Sequence, residues 1–349
     1  MTRPEPAAQD SVGTLSPGGA RHYATPVDYE RYGHYGPGRL PSGRSGWQRP
    51  DYTFRNRVTA DGSSGYRAEP DRYHLYIARG CGWAQRTAIV RALMGLEDVV
   101  SLSCVDDERD ARGWAFREKR GHDPVNGFTL LLEAYEATEP GFAGHISTPV
   151  LWDRATRRIV SNDFALITLD LATEFGAWAT SPVDLYPVAL RPEIDELNAF
   201  IYDHVNDGVY RVGGAVTQRE YDELRGGVAG ALRGLDERLA DRRYLFGDSV
   251  TESDIRLWPT LARFDLAYNR IARVVRGGLP AFPNLWGYAR DLYGVPAFRD
   301  TTEFDTYPLA VDEPPDARWG EGIERIAIDG VEPDWSVPHG RQTLGAPGS

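Results

Sequence analysis

The chain has 349 residues, of which 41% are hydrophobic and 26% charged, a composition typical of a soluble globular protein with one large or two medium domains. Its 39 basic and 51 acidic residues give a net charge of −12, and no run of basic residues stands out, so we expect no nucleic-acid partner. The sequence contains no apolar stretch of about 18 residues and no secretion-signal pattern, so we expect no membrane partner and a cytoplasmic location.

The first 70 residues differ in composition from the rest. They are rich in Gly, Pro, Ser and Arg and have no helical or strand period, which predicts an irregular extension that lies over a folded body. Residues 73–78 then alternate as a strand does, a helical period runs from Cys81 to Gly95, and a second strand is predicted over 99–105. A right-handed crossover makes these two strands parallel.

Beyond this unit, residues 148–153 and 158–160 predict a hairpin, and 163–172 predict a helix. An all-helical region follows, with long periodic segments at 188–206, 217–242, 251–273 and 284–294. Thr251 and Asp254 have the spacing of a capping box, which predicts that the third of these helices begins there. We therefore predict four parts, namely an extension at 1–70, domains at 71–180 and 181–305, and a tail at 306–349.

The chain has two cysteines, Cys81 and Cys104, too few for a disulfide framework. Cys81 falls in the first turn of the first helix, where unpaired N–H groups and the helix dipole stabilise a thiolate. Ala84 occupies the position of a second cysteine in a dithiol motif, so an external thiol must release any mixed disulfide. Burial as a small apolar residue is an equal alternative for Cys81, and Cys104, in an apolar strand, is interpreted as structural.

Three further residues stand out. Pro149, after Thr148, opens a predicted strand, where a proline is tolerated at a sheet edge or as a cis bond in a tight bend; the local sequence favours the edge. A cis bond would leave neighbouring backbone groups free for a peptide-like ligand. Trp114 and Tyr210 lie in predicted loops, either as ligand platforms or as surface cover, and the local sequence favours cover.

The order of these elements resembles the glutathione transferase fold, and separate motifs between about residues 50 and 305 resemble the glutathionyl-hydroquinone reductases, or Xi class. The motifs include 54–56, 58–62, 72–76, Cys81-x-Trp83-Ala84-x-Arg86-Thr87, 95–99, 149–153, 184–187, 206–210, 244–248 and 282–286. The resemblance implies a thioredoxin-like N-terminal domain followed by an all-helical glutathione-transferase C-terminal domain. It also implies a homodimer and no metal.

The resemblance further implies a mechanism. The thiolate of Cys81 would attack the sulfur of a glutathionyl-hydroquinone, and a second glutathione would clear the resulting disulfide. Trp114 would contact the thiol peptide, and Thr148 before a cis Pro149 would pair with its backbone. Tyr210 would hydrogen-bond the aromatic oxygen and assist proton transfer.

The sequence departs from the family pattern at three places. Gly82 and Gln85 stand where the family has a proline and a histidine. The acidic–serine pair that holds the glutamyl end of glutathione becomes Asp163–Phe164, so we expect the Asp163 carboxylate to lose a hydrogen-bond partner. The tyrosine-rich segment after residue 305 is missing, and Tyr307 is the only nearby phenol.

The identity of the thiol is therefore open between glutathione and another small thiol such as mycothiol. Lys119 is the single lysine, an arginine bias typical of GC-rich bacteria, many of which use a thiol other than glutathione. Two rival hypotheses also remain. The protein could be a transferase or isomerase of a specialised metabolite in which Cys81 is not the nucleophile, or a binding protein that has kept only the fold.

Overall fold

The computed structural model describes residues 22–36, 48–307 and 322–344. Its four-stranded sheet has the order β2-β1-β3-β4. The strands are β1 Tyr73–Ala78, β2 Val100–Val105, β3 Val150–Asp153 and β4 Arg158–Ser161. β1 and β2 are parallel, whereas β3 is antiparallel to both β1 and β4. The predicted crossover unit and hairpin are confirmed.

Both faces of the sheet are covered. Leu75 and Ile77 of β1 belong to the larger core cluster, while Tyr76 and Ala78 belong to a smaller cluster on the other face. All six residues of β1 are buried, including His74, because helices and loops pack on both sides. The helices of this half are α1 Tyr29–Tyr32, α2 Gly82–Leu93, α3 Leu132–Thr138 and α4 Phe164–Thr173.

The second half of the chain is helical, as predicted, but the helices are more broken than the sequence indicates. They are α5 Arg191–Ile201, α6 Gly208–Gly213, α7 Gln218–Arg238, α8 Glu252–Arg263, α9 Asn269–Ala272, α10 Pro283–Tyr293 and α11 Pro296–Arg299. Two π-helical turns, Tyr202–Asn206 and Phe264–Tyr268, interrupt the predicted segments. The capping box is confirmed, since the backbone N–H of Thr251 donates to Asp254 Oδ2 over 2.7 Å.

The two halves meet along α2. This helix packs against α4 beside the sheet and against α8 of the helical half. Arg86 of α2 is buried and donates to the backbone carbonyls of Gly82 and Arg256 and to the side chain of Asn206. Because Arg256 and Asn206 belong to the helical half, this guanidinium ties α2 to that half.

The described parts of both terminal segments lie on the body. Trp335 of the tail packs edge-on against Trp258 and stacks on Phe304. Arg341 is buried and donates to backbone carbonyls of 239–243. The domain limits at 70, 180 and 305 stay predictions. Among the described residues, no helix is both long and apolar enough to cross a membrane.

Candidate active site

Cys81 lies at the junction of β1 and α2. It is the N-cap residue, with extended backbone angles (φ −78°, ψ 110°), and α2 begins at Gly82. The prediction that Cys81 belongs to the first turn is therefore wrong by one residue, because its own N–H donates back to Ala78 O over 3.1 Å. Its Sγ lies 3.6 Å from the carbonyl oxygen of Thr148, to which it donates. The sulfur thus sits at the helix N-terminus, next to the loop that precedes β3.

The Thr148–Pro149 peptide bond is cis. Pro149 directly precedes β3, which pairs on one side with β1 and on the other with β4, so the edge-strand interpretation is wrong. The Thr148 hydroxyl is buried and has no hydrogen-bond partner among the described residues. A buried polar atom of this kind calls for an explanation, and a bound ligand is one.

Trp114 provides a second buried polar atom of this kind. Its indole Nε1–H has no hydrogen-bond partner in the described part of the chain, and its ring packs against the smaller core cluster, as does Cys81. The guanidinium of Arg109 lies 4.4 Å from the centre of the Trp114 ring and 4.1 Å from that of Tyr35. Trp114 is thus held between the core and a cation.

Asp163 caps α4, with Oδ1 accepting the N–H of Ala165 over 3.0 Å. Its Oδ2 lies 3.0 Å from Nε of Arg55, whose side chain is 63% exposed. The serine hydroxyl of the family pattern is absent, and Arg55 from the extension pairs with this carboxylate instead. Phe164 is buried, and its ring lies 4.9 Å from that of Trp83.

Tyr210 lies on the short helix α6 and not in a loop, which corrects the prediction. Its hydroxyl is 2.9 Å from the hydroxyl of Tyr268, and its ring stacks on Trp83 with 6.5 Å between centres. Burial raises the pKa of Tyr268 well above its ordinary value, so Tyr268 stays protonated at neutral pH. Because Trp83 is two residues after Cys81, the stack ties Tyr210 to the helix that Cys81 caps.

Arg49 was not found from the sequence. Its guanidinium lies 3.8 Å from the Trp83 ring centre and 5.4 Å from that of Tyr210. Nε of Arg49 also pairs with Asp207 Oδ1 at 3.3 Å. Arg49 comes from the aperiodic extension, so no periodicity marks it. The one sequence signal that could have pointed to it was the motif that contains Asp207 and Tyr210, both of which Arg49 contacts.

A cleft of about 360 Å³ lies beside Asp163 and Arg49. It is lined by Arg49, Pro50, Asp51, Tyr52, Arg55, Asp163, Phe164, Ala165, Tyr202 and Arg256. Burial raises the pKa of Tyr52, which lines the cleft, while the charge of Arg49 acts in the opposite direction. The ring of Tyr52 lies 6.2 Å from that of Phe164.

Cys104 takes no part in this site. It is half-buried on β2, packs against the larger core cluster and carries a free thiol whose pKa burial raises. These features agree with the structural role predicted for it. Within the described residues, no group of three or more His, Cys, Asp or Glu could hold a metal ion.

Comparisons with known proteins identify the family. Residues 218–291 match the family model "Glutathione S-transferase, C-terminal domain". The glutathionyl-hydroquinone reductase YqjG of Escherichia coli (strain K12) is 41% identical over 270 residues, which cover 74% of this chain and 82% of that relative. The glutathionyl-hydroquinone reductase PcpF of Sphingobium chlorophenolicum is 41% identical over 224 residues, or 64% of this chain and 72% of PcpF.

Comparisons with solved structures identify the same family. The glutathione-bound structure of YqjG matches with a TM-score of 0.76 and 38% identity, covering 83% of this chain and 96% of YqjG. The Xi class transferase from Natrialba magadii matches with a TM-score of 0.79 and 37% identity, covering 88% of this chain and 96% of that one. With the cysteine-capped helix and the helical second half described above, these matches show that the chain belongs to the glutathionyl-hydroquinone reductases, the Xi class of the glutathione transferase superfamily.

Proposed function

We propose that this protein uses Cys81 to cleave thiol adducts of hydroquinone-like aromatic compounds reductively, with a small thiol as cosubstrate. One observation carries the proposal: the Cys81 sulfur lies at a helix start, 3.6 Å from the carbonyl oxygen of Thr148, a residue whose buried hydroxyl lacks a partner within the described residues. A cysteine sulfur next to an unsatisfied buried hydroxyl fits a thiol peptide as the ligand. The names of the relatives support the reaction.

The first chemical step forms one bond and breaks another. The Cys81 thiolate attacks the sulfur of the adduct, the carbon–sulfur bond breaks, and its electron pair stays on the aromatic carbon, which takes up a proton. The products are the free hydroquinone and a mixed disulfide on Cys81. A second thiolate then attacks that disulfide, which restores Cys81 and releases the oxidised thiol dimer. Each turnover consumes one free thiol, and the other sulfur of the released dimer comes from the adduct.

Tyr210 is the proposed proton donor of the first step. The proposal is supported by the stacking of its ring on Trp83, two residues after Cys81. Tyr268, at 2.9 Å from the hydroxyl of Tyr210 and kept protonated by burial, supplies a hydrogen bond to the oxygen of Tyr210 as the proton leaves. Phenols act as general acids in this way.

The thiol is proposed to bind on the side of Trp114 and Thr148, with Pro149 beside its backbone and Asp163 near its polar end. Glutathione is the first candidate because a relative has been solved with it bound. Mycothiol is the alternative, since Phe164 replaces the serine expected for glutathione and Arg55 already pairs with Asp163. A homodimer stays a prediction, which light scattering of the purified chain would test.

The two cysteines provide a matched experiment. Turnover of a glutathionyl-hydroquinone is measured for the unaltered protein, Cys81→Ser and Cys104→Ser. We expect Cys81→Ser to lose at least about 10³-fold in kcat, since it removes the nucleophile, and Cys104→Ser to keep its activity. Full turnover by Cys81→Ser would overturn the nucleophile role and favour a conjugating or isomerising transferase.

A second measurement identifies the thiol. The protein is incubated with a cell thiol extract and analysed by intact mass spectrometry, with Cys81→Ser as the control. We expect one adduct on Cys81, whose added mass distinguishes glutathione from mycothiol. If calorimetry shows that neither thiol binds, the protein is a non-catalytic member of the fold.

A further inference from the structure

Residues 22–36 of the extension are bonded to the loop that carries Trp114. The backbone N–H of Ala24 donates to Phe116 O over 2.9 Å, and the N–H of Ala111 donates to Gly33 O over 2.9 Å. The guanidinium of Arg112 donates to the hydroxyl of Thr25 over 2.7 Å. These contacts occur at both ends of residues 22–36, so this segment and the Trp114 loop form one unit.

Tyr35 links that unit to the loop that precedes β3. Its hydroxyl oxygen accepts the backbone N–H of Ile146 over 2.9 Å and lies 3.0 Å from Nδ1 of His145. Ile146 is two residues before Thr148, whose carbonyl faces the Cys81 sulfur. One phenol thus reaches the second of the two loops that carry the unsatisfied polar atoms of the site.

The ring of Tyr35 also contacts the loop that carries Trp114. The Arg109 guanidinium lies between the rings of Tyr35 and Trp114, at 4.1 and 4.4 Å from their centres, distances at which a cation is attracted to an aromatic face. Gly113 has φ +89°, and a Cβ there would lie 3.4 Å from both the Tyr35 ring and the Ile146 side chain. The two loops and Tyr35 are therefore in close contact.

We propose that Tyr35 is a positioning residue for thiol binding: it holds the Trp114 loop and the Thr148 loop at the separation that a thiol ligand needs. The N-terminal segment 22–36 is then a component of the thiol site and not a passive cover. The inference rests on the proposed function, since it takes Trp114 and Thr148 as the residues that bind the thiol.

The test compares three variants of the full-length protein by calorimetry with glutathione and with mycothiol. Tyr35→Ala removes the ring and the hydroxyl, and we expect the Kd of the bound thiol to rise about tenfold. Tyr35→Phe keeps the ring on Arg109 and removes only the hydroxyl, so the rise should be about threefold. The control is Tyr186→Ala, a tyrosine of the helical half whose hydroxyl donates to Asp195 over 2.7 Å at an exposed position, and its Kd should match that of the unaltered protein.

A role in the fold alone would give a different result. Thermal unfolding and the rate of Cys81 alkylation by iodoacetamide are recorded for each variant. If Tyr35→Ala does not fold, Tyr35→Phe alone tests the inference. Positioning predicts a raised thiol KM with an unchanged kcat and alkylation rate. An unchanged Kd in both Tyr35 variants overturns the inference while the proposed function stands, provided that Cys81→Ser is inactive. If the unaltered protein binds neither thiol, the proposed function fails and the inference fails with it.

Discussion

The proposed thiol side, formed by Trp114 and Thr148, and the proposed aromatic side, formed by Tyr210 and Tyr268, differ in whether their polar groups are hydrogen-bonded. On the thiol side, the indole N–H of Trp114 and the hydroxyl of Thr148 are buried with no partner among the described residues. On the aromatic side, the hydroxyl of Tyr210 is paired with Tyr268 at 2.9 Å. The carbonyl of Thr148 lies beside the Cys81 sulfur, and Tyr210 stacks on Trp83 of the helix that Cys81 caps.

The difference indicates what each side is built for. A buried polar group without a partner costs about 1–3 kcal/mol, so the thiol side carries a cost that a ligand with complementary backbone groups would remove. Paired groups need no ligand to satisfy them and hold their geometry in advance, which suits proton transfer to a ring that offers few hydrogen bonds. Under the proposed function, the thiol side selects a ligand, and the aromatic side performs chemistry.

Tyr210→Phe should have the largest effect and should leave thiol binding intact. Loss of a positioned proton donor typically lowers kcat by about 10²-fold or more, while the Kd for the thiol should stay within error. Steady-state kinetics and calorimetry on the same preparation measure both. Tyr186→Phe is the control, since that hydroxyl is bonded to Asp195 at 2.7 Å in an exposed part of the helical half, and it should change neither. A loss of thiol binding in Tyr210→Phe would erase the distinction between the two sides.

Tyr268→Phe should act on kcat through Tyr210. Removing one hydrogen bond of about 1 kcal/mol predicts a loss of about five- to tenfold in kcat. The free energy of unfolding should fall by about 1 kcal/mol. Tyr288→Phe is the matched control because its hydroxyl donates to Asp254 over 2.7 Å inside the helical half. It should lower the free energy of unfolding and leave kcat unchanged. An unchanged kcat in Tyr268→Phe would mean that the pair is structural only.

The fold was largely predictable because its signals are local. Alternation in β1, the glycine after α2 and the Thr251–Asp254 box each depend on neighbouring residues. Helix α6 was not predicted because its start depends on tertiary packing: a Cβ at Gly208 would lie 2.9 Å from the Val228 side chain. No local pattern records that approach.

The site was predicted in part, for a similar reason. Cys81 and Thr148 lie next to regular elements that strand and helix patterns locate, whereas the role of Trp114 was implied by the family resemblance alone. Arg55 was missed because it comes from an aperiodic segment and meets Asp163 across 108 residues of sequence. Tyr268 was missed because a tyrosine on the buried side of a helix has the pattern of a core residue.

Thr148→Val should have the smallest effect and is the sharpest test of the comparison, because its two consequences have opposite signs. Valine has nearly the shape of threonine without the unsatisfied hydroxyl, so the free energy of unfolding should rise by about 1 kcal/mol. The Kd for the thiol should rise about threefold, since the ligand loses one hydrogen bond. Thr168→Val, whose hydroxyl donates to Ala165 O over 3.0 Å, should lower the free energy of unfolding. If Thr148→Val also destabilises the protein, its hydroxyl has a partner in the fold, and the thiol side is no different from the aromatic side.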